Sequence, residues 1–187
     1  MDYYIDIHLR PDPEFGASLL LGALFNKLHR ALVELESNHI GISFPAHATR
    51  PRTMGDHVRI HGREGALQGL MDMNWLKGMR DHVSVGGVSV IPDQHHYRVV
   101  RRVQPKSNAD RIRRRYMKRH QVSAEQAQET IPDTVVKPVE QPYVSIRSQS
   151  TGQAFCLFIE HLPLQEKPVK GDFSSYGLSA TATIPWF

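Results

Sequence analysis

An imidazole, a hydroxymethyl group and a run of guanidiniums carry most of the chemistry open to this chain of 187 residues. His29 lies one step off an apolar helical stripe, near Phe25 and Leu32, where a half-exposed histidine would be held in a fixed orientation. A single helix histidine is more often structural. Ser148 ends an alternating segment just before the polar run 149–153, and alone it too would be passed over. Together they suit one reaction that needs no metal, the cleavage of RNA by its own 2′-hydroxyl. That reaction asks for a base near the hydroxyl, a group that orients it, and positive charge beside the phosphate.

The positive charge is concentrated in one place. The chain carries +4 overall, yet residues 98–120 hold ten Lys and Arg against one acid, Asp110, so this window is +9 and the remainder −5. A mildly acidic body with one cationic segment is the footprint of a protein that grips a polyanion. A solvated helix face is the blander reading, but such a face usually mixes signs. Arg102 and Gln104 stand two apart on a strand and so point the same way, about 6.6 Å from each other. Arginine suits guanine O6/N7 and glutamine suits adenine N6/N7, each by two hydrogen bonds. Contact with phosphate or solvent accounts for the pair equally well. Eleven histidines invite a metal, but a structural zinc site usually wants several cysteines and Cys156 stands alone. His57 and His61, or His95 and His96, have no acidic or cysteine partner at ligand spacing, so no metal or other cofactor is expected. No glycine-rich phosphate loop precedes a helix.

The elements that must position these groups follow from periodicity. Tyr3–Leu9 alternates and reads as a strand with Ile5, Ile7 and Leu9 on its buried side. Asp12 can cap a helix whose first position is Pro13 and which runs to about Leu35, with Ala17, Leu20, Leu21, Leu24, Leu28, Ala31 and Leu32 as its stripe. Ile40–Phe44 and Val58–His61 read as strands, Glu64–Met71 as a helix with a second piece at Trp75–Met79, and His82–Ile91 as a strand bent at Gly86-Gly87. The order βαββαβ is that of a ferredoxin-like, RNA-recognition-type domain, expected over residues 1–94. Residues 95–187 are expected to form a smaller, irregular α+β domain packed on it. There Tyr97–Val103 is a strand, and Ser107 or Asn108 caps an arginine-rich helix over 108–120. Ser123–Gln126 is a capping box, Tyr143–Ser148 with Ala154–Glu160 is a hairpin, and Phe173–Phe187 adds a last strand. Composition is that of an ordinary globular chain, 40% hydrophobic, with no disulfide framework. The longest apolar stretch, Leu19–Phe25, is broken by Gly22 and too short for a membrane span. The acid-bearing, alternating first residues do not read as a secretory signal, so a cytoplasmic setting is expected.

Several segments carry a resemblance. Arg102–Asn108 (RVQPKSN), Arg113–His120 (RRRYMKRH), Ile131–Thr134 (IPDT), Arg147–Gly152 (RSQSTG), Tyr176–Ser179 (YGLS) and Pro185–Phe187 (PWF) occur in order. Tyr4–Ile7, Arg10–Phe15 and Leu24–His29 (LFNKLH) add the amino end. The whole chain resembles the type I-F CRISPR-associated repeat-processing endoribonucleases. The resemblance implies an enzyme that binds the stem-loop of a CRISPR repeat in precursor RNA and cuts at the 3′ base of the stem. Metal would not be needed, the ends would be a 2′,3′-cyclic phosphate and a 5′-hydroxyl, and the enzyme, a monomer when free, would stay on its product as a subunit of a type I-F surveillance complex. By motif, His29 would be the general base, Ser148 would position the 2′-hydroxyl, and Tyr176 would hold the histidine or the scissile region. Arg102 and Gln104 would read bases at the bottom of the stem, and Phe155 would stack on the terminal pair. Arg115, Arg119 and His120 would grip phosphates, with Asn108, Arg111, Arg114 and Lys118 completing that set and Ser150 and Thr151 acting near the cut. Lys118 stands where the family often has arginine, and Cys156 where a basic residue often follows the stacking phenylalanine. A non-catalytic hairpin-binding subunit would show the same cationic helix. Only His29, Ser148 and a cleavage assay separate it from the enzyme; a duplex-DNA-binding regulator is a weaker rival.

Overall fold

A computed structural model of the chain describes residues 1–104, 109–135, 139–148 and 152–187. It is an α+β protein of antiparallel sheets. It has two compact units, one made of residues 1–103 and 141–187 and the other of residues 104–140.

In the larger unit, β1 (Tyr3–Leu9) is followed by α1 (Ala17–Glu34), β2 (Gly41–Ser43), the short hairpin of β3 (Ala48–Thr49) and β4 (Arg52–Thr53), β5 (His57–Gly62) and α2 (Glu64–Asp72). After α2 come β6 (Val83–Val85), β7 (Ser89–Val90) and β8 (His96–Val103). The first sheet runs β2-β5-β1-β6, with β7 also on β1 and every pairing antiparallel. The alternation of β1 does what period two requires: Ile5, Ile7 and Leu9 are buried, while Tyr4, Asp6 and His8 take the other face. Leu24, Leu28 and Leu32 of α1 close over the buried side as the stripe of period 3.6 predicts.

Three expectations are corrected in detail. Helix α1 starts at Ala17 rather than Pro13, because the Asp12 carboxylate accepts from the Glu14 and Phe15 N–H groups (2.9 and 3.0 Å) and closes a separate turn. Those two bonds hold the Asp12 carboxyl below its ordinary range. Trp75–Met79 forms turns, not helix. The strand expected at His82–Ile91 is split into β6 and β7 around Gly86, whose N–H donates to the Asp6 carbonyl.

The same unit also contains β9 (Tyr143–Arg147), β10 (Ala154–His161) and β11 (Thr183–Trp186), in a second antiparallel sheet of order β11-β8-β10-β9. It therefore crosses residue 94, where the sequence reading placed a boundary. The reason lies in the core: Val144, Ile146, Leu157, Phe173 and Ile184 belong to the same buried cluster as Ile5 and Leu24. Phe173 N–H donates to the Asn38 carbonyl (2.9 Å) and Ile42 N–H to that of Gly177 (2.8 Å), tying the late segments to β2.

The smaller unit consists of α3 (Ala109–His120), α4 (Ala124–Thr130) and a short 3-10 turn at Asp133–Val135. The capping box opens α4 as expected, with Gln126 N–H donating to Ser123 Oγ (3.2 Å) and Ser123 N–H to Gln126 Oε1 (3.1 Å). No helix among the described residues is long and apolar enough to cross a membrane.

Candidate active site

Gly22 and Asn26 explain why His29 and Ser148 come to line one cavity. Gly22 packs so tightly on β9 that a Cβ there would run into the Ser145 carbonyl oxygen. One turn later, Asn26 Oδ1 accepts from the Arg147 N–H at 3.2 Å. From Gly22 to Asn26 a helix rises about 6 Å, and from Ser145 to Arg147 a strand advances about 6.6 Å. Helix and strand thus run side by side at matched pace. The residues that follow, His29 on one and Ser148 on the other, come out level. Both line a cavity of about 610 Å³, together with Phe155 and Tyr176.

The histidine is held on two sides. Its Nδ1 lies 2.8 Å from the Ser175 carbonyl oxygen. A carbonyl only accepts, so Nδ1 is the donor, and the neutral ring keeps its lone pair on Nε2. The Tyr176 ring stacks on the imidazole at 4.0 Å and 11°, and it lies parallel to buried Phe25 at 6.3 Å. Both contacts come from one tight turn, 174–178. There Gly177 takes φ +67° and donates to the Ser174 carbonyl (2.7 Å), and a side chain at 177 would collide with Ile42. Ser148 closes its own loop, donating from N–H to the Gln153 carbonyl and accepting at its carbonyl from Gly152, both at 2.9 Å. The Arg102 guanidinium stands over the rings of Phe155 (6.0 Å) and Tyr176 (5.9 Å), within cation–π reach.

The structure therefore brings together His29, Ser148, Phe155, Tyr176 and, beside them, Arg102. Gln104 belongs to the smaller unit, where Arg111, Arg114, Arg115, Lys118, Arg119 and His120 are exposed on α3. Asn108, Ser150 and Thr151 lie outside the described residues. Arg113 has a different task from its neighbours. It donates from Nε to the Ile131 carbonyl (2.8 Å) and pairs with Asp133 (2.8 Å) and Asp110 (3.3 Å), fastening α3 to the segment after α4.

Sequence reasoning missed Asn26, Arg30 and Arg147 at the cavity, whose only signal was proximity to His29 and Ser148. It also missed a group of metal-ligand type: Asp6, His8 and His57 bring one ligand atom each within 4.8 Å of one another. Pairing of β1 with β5 sets His8 opposite His57, a relation that spacing along the chain does not reveal. Asp6 is engaged already, by Arg59 Nε (2.7 Å), Arg59 Nη2 (2.9 Å) and His57 Nε2 (2.7 Å). Burial alone would raise its carboxyl, but these bonds outweigh it and hold Asp6 well below the usual carboxylate range.

A family model described as CRISPR-associated protein (Cas_Csy4) matches residues 4–187. A protein of Pseudomonas aeruginosa (strain UCBPP-PA14) named CRISPR-associated endonuclease Cas6/Csy4 is 49% identical over 187 residues, covering 100% of both chains. Another of that name, from Escherichia coli (strain UTI89 / UPEC), is 45% identical over the same span and coverage. A solved structure titled "An RAMP protein binding different RNA substrates" covers 98% of this chain and 99% of its own at 10% identity. Its TM-score is 0.38, too slight a likeness to bear on function. The chain is an endoribonuclease. It belongs to the Csy4 family of CRISPR-associated proteins, the type I-F repeat-processing enzymes whose motifs it carries.

Proposed function

We propose that this protein binds the stem-loop of a CRISPR repeat in precursor RNA and cleaves it at the 3′ base of the stem without metal. The observation that carries the reading is the 2.8 Å bond from His29 Nδ1 to the Ser175 carbonyl, which leaves Nε2 as the lone-pair nitrogen of a ring that lines the same cavity as Ser148. Nε2 takes the proton of the 2′-hydroxyl that Ser148 orients, and O2′ forms its bond to phosphorus. The bond from phosphorus to O5′ breaks, and the departing oxygen acquires a proton from solvent. The products are a 2′,3′-cyclic phosphate and a 5′-hydroxyl. Holding the hydroxyl in line with the phosphate supplies most of the acceleration, and the base adds to it.

Phe155 stacks on the terminal base pair, Arg102 and Gln104 read base edges, and Tyr176 keeps the imidazole in place. The exposed cations of α3, with His120, hold phosphates, and Asn108, Ser150 and Thr151 complete the RNA contacts. The first sheet's order, with α1 and α2 between its strands, supports a ferredoxin-like domain of the RNA-recognition type. In this reading the free protein is a cytoplasmic monomer that stays on its product and joins other subunits of a type I-F surveillance complex.

The test is cleavage of a labelled repeat hairpin in chelator, with the termini identified. A His29→Ala variant should bind the hairpin like the wild type yet cleave about 10²–10⁴-fold more slowly. A 2′-deoxy nucleotide 5′ to the cut should abolish cleavage and spare binding. Full-rate cleavage by the variant overturns the assignment of the base, and cleavage of the deoxy substrate overturns the cyclic-phosphate route.

A further inference from the structure

The cavity does not end at the histidine. Asn26, His29, Arg30, Val33 and Glu34 all line it, at steps of three, four, seven and eight along α1, so it follows one helix face for about 12 Å. Its volume of about 610 Å³ falls within the roughly 300–1,000 Å³ of small-molecule sites, more than one ribose needs. Tyr176, Phe155 and Arg102 crowd the end level with Phe25 and His29. The turn beyond His29 has no part in holding the base or the 2′-hydroxyl. There Arg30 is exposed and meets no ion-pair partner among the described residues, and Val33 is 52% exposed, a large apolar side chain turned to solvent. Arg147 faces them from the end of β9, its guanidinium steadied by an Nε bond to the Gly152 carbonyl (2.7 Å).

We infer that this far end is a subsite for the first nucleotide 3′ of the scissile phosphate, with Arg30 and Arg147 on its sugar-phosphate backbone and Val33 under its base. The inference rests on the cleavage reading above. In-line displacement sets the leaving O5′ opposite the attacking O2′, so the departing nucleotide must extend away from the 2′-hydroxyl. With the stem end of the cavity occupied by aromatic rings, the Arg30 turn is the direction left for it. Arg30 and Arg147, two cations against the one carboxylate lining that end, Glu34, also favour the phosphate that follows the departing nucleotide.

The experiment compares non-cleavable hairpins carrying a 2′-deoxy nucleotide at the attack position. One ends in a 3′-phosphate at the cut, and one continues for two more nucleotides. The wild type should bind the extended RNA roughly three- to tenfold tighter at low salt. Arg30→Ala should remove that gain and leave the shorter RNA's affinity as it was, while Arg30→Lys, still a cation, should keep part of the gain. An extended RNA with abasic flanking nucleotides should retain the part due to phosphate. Equal wild-type affinities for the two RNAs, or an equal loss on both in Arg30→Ala, overturns the subsite and leaves the cleavage reading standing. If the all-ribose hairpin is neither bound nor cut, it is the cleavage reading that fails, and the subsite with it.

Discussion

In the larger unit Ile5, Ile7, Leu24, Leu28, Ile42 and Ile60 have no exposed surface at all, and the sheets pair strand against strand around them. In the smaller one the buried apolar side chains among the described residues are Ala109, Ala127 and Ile131, and its fastenings are a capping box and the three partners of Arg113. The first arrangement fixes an imidazole within hydrogen-bond distance of one chosen carbonyl. The second displays cations on a helix without burying them. Cleavage needs placement to a fraction of an ångström, which close packing provides. A grip on phosphates tolerates slack, because charge acts across several ångströms. The division of labour proposed above therefore matches a division in how the two parts are held.

Acid should break the comparison most forcefully, because only the larger unit depends on buried neutral histidines. His61 has no exposed surface, and burial pushes it down to about 3; burial also brings His161 down to about 2. His161 Nε2 accepts from the Phe44 N–H, which requires a neutral ring. In the unfolded chain both take up a proton near 6.5, whereas in the fold they do not. Their contribution is thus whole above pH 6.5 and is lost as pH falls toward 3, by up to about 1.4 kcal/mol per pH unit for each. Asp6 adds a loss of the same sign below its ordinary 3.8. Trp75 and Trp186, the only tryptophans, both lie in the larger unit. Their fluorescence should report a melting temperature that drops steeply from pH 6.5 to 4.5. A flat profile there would mean the two rings are charged in the fold.

Next in size is Gly22→Val. The backbone carbonyl it meets cannot swing aside as a side chain can, so α1 must move off β9. A cost of about 2–3 kcal/mol is expected in urea unfolding, with cleavage falling further than stability accounts for, since a shift of about 1 Å can cost 10²-fold. Asn26→Leu sharpens the point more gently. It removes one acceptor, about 0.5–1.5 kcal/mol, whereas Asn26→Asp keeps an oxygen for the Arg147 N–H. Cleavage should fall in the leucine variant and largely return in the aspartate one, at unchanged hairpin affinity. Equal activity in both would mean the bond does not hold Ser148 level with His29.

The contrast also explains what could be read in advance. Strand β1 and the stripe of α1 were legible because burial imposes a period on residue type. Asp12 misled because a carboxylate bonded to two following N–H groups looks the same whether a helix continues or the chain turns and starts again at Gly16. The β3–β4 hairpin has two residues a side, too few to alternate. At the cavity His29 and Ser148 could be picked out as chemical types. The group that sets the tautomer could not, because it is the main-chain carbonyl of Ser175, 146 residues away in sequence, and any residue carries one. Arg113 illustrates the opposite failure: counted among ten cations, it spends its guanidinium on its own unit, bonding the Ile131 carbonyl and pairing with Asp133.

Arg113→Ala carries the smallest expected effect and locates it most narrowly. The side chain is 13% exposed, but its carboxylate partners Asp110 and Asp133 are 74% and 82% exposed, so water screens both pairs heavily. The bond to the Ile131 carbonyl and the packing of the arginine stem are what remain. A loss of about 0.5–1.5 kcal/mol is expected. Amide hydrogen exchange places it: the protons of α3 and α4 should exchange several-fold faster, and those of β1 and β5 at their former rates. Arg114→Ala serves as the control, since Arg114 is exposed and makes a long 3.4 Å contact to the Asp110 carbonyl within the same helix, and it should leave both regions unchanged. Acceleration in β1 and β5 along with α3 would mean that the cation-bearing helix shares the stability of the core, and the distinction between a packed floor and a lightly fastened grip would have to be given up.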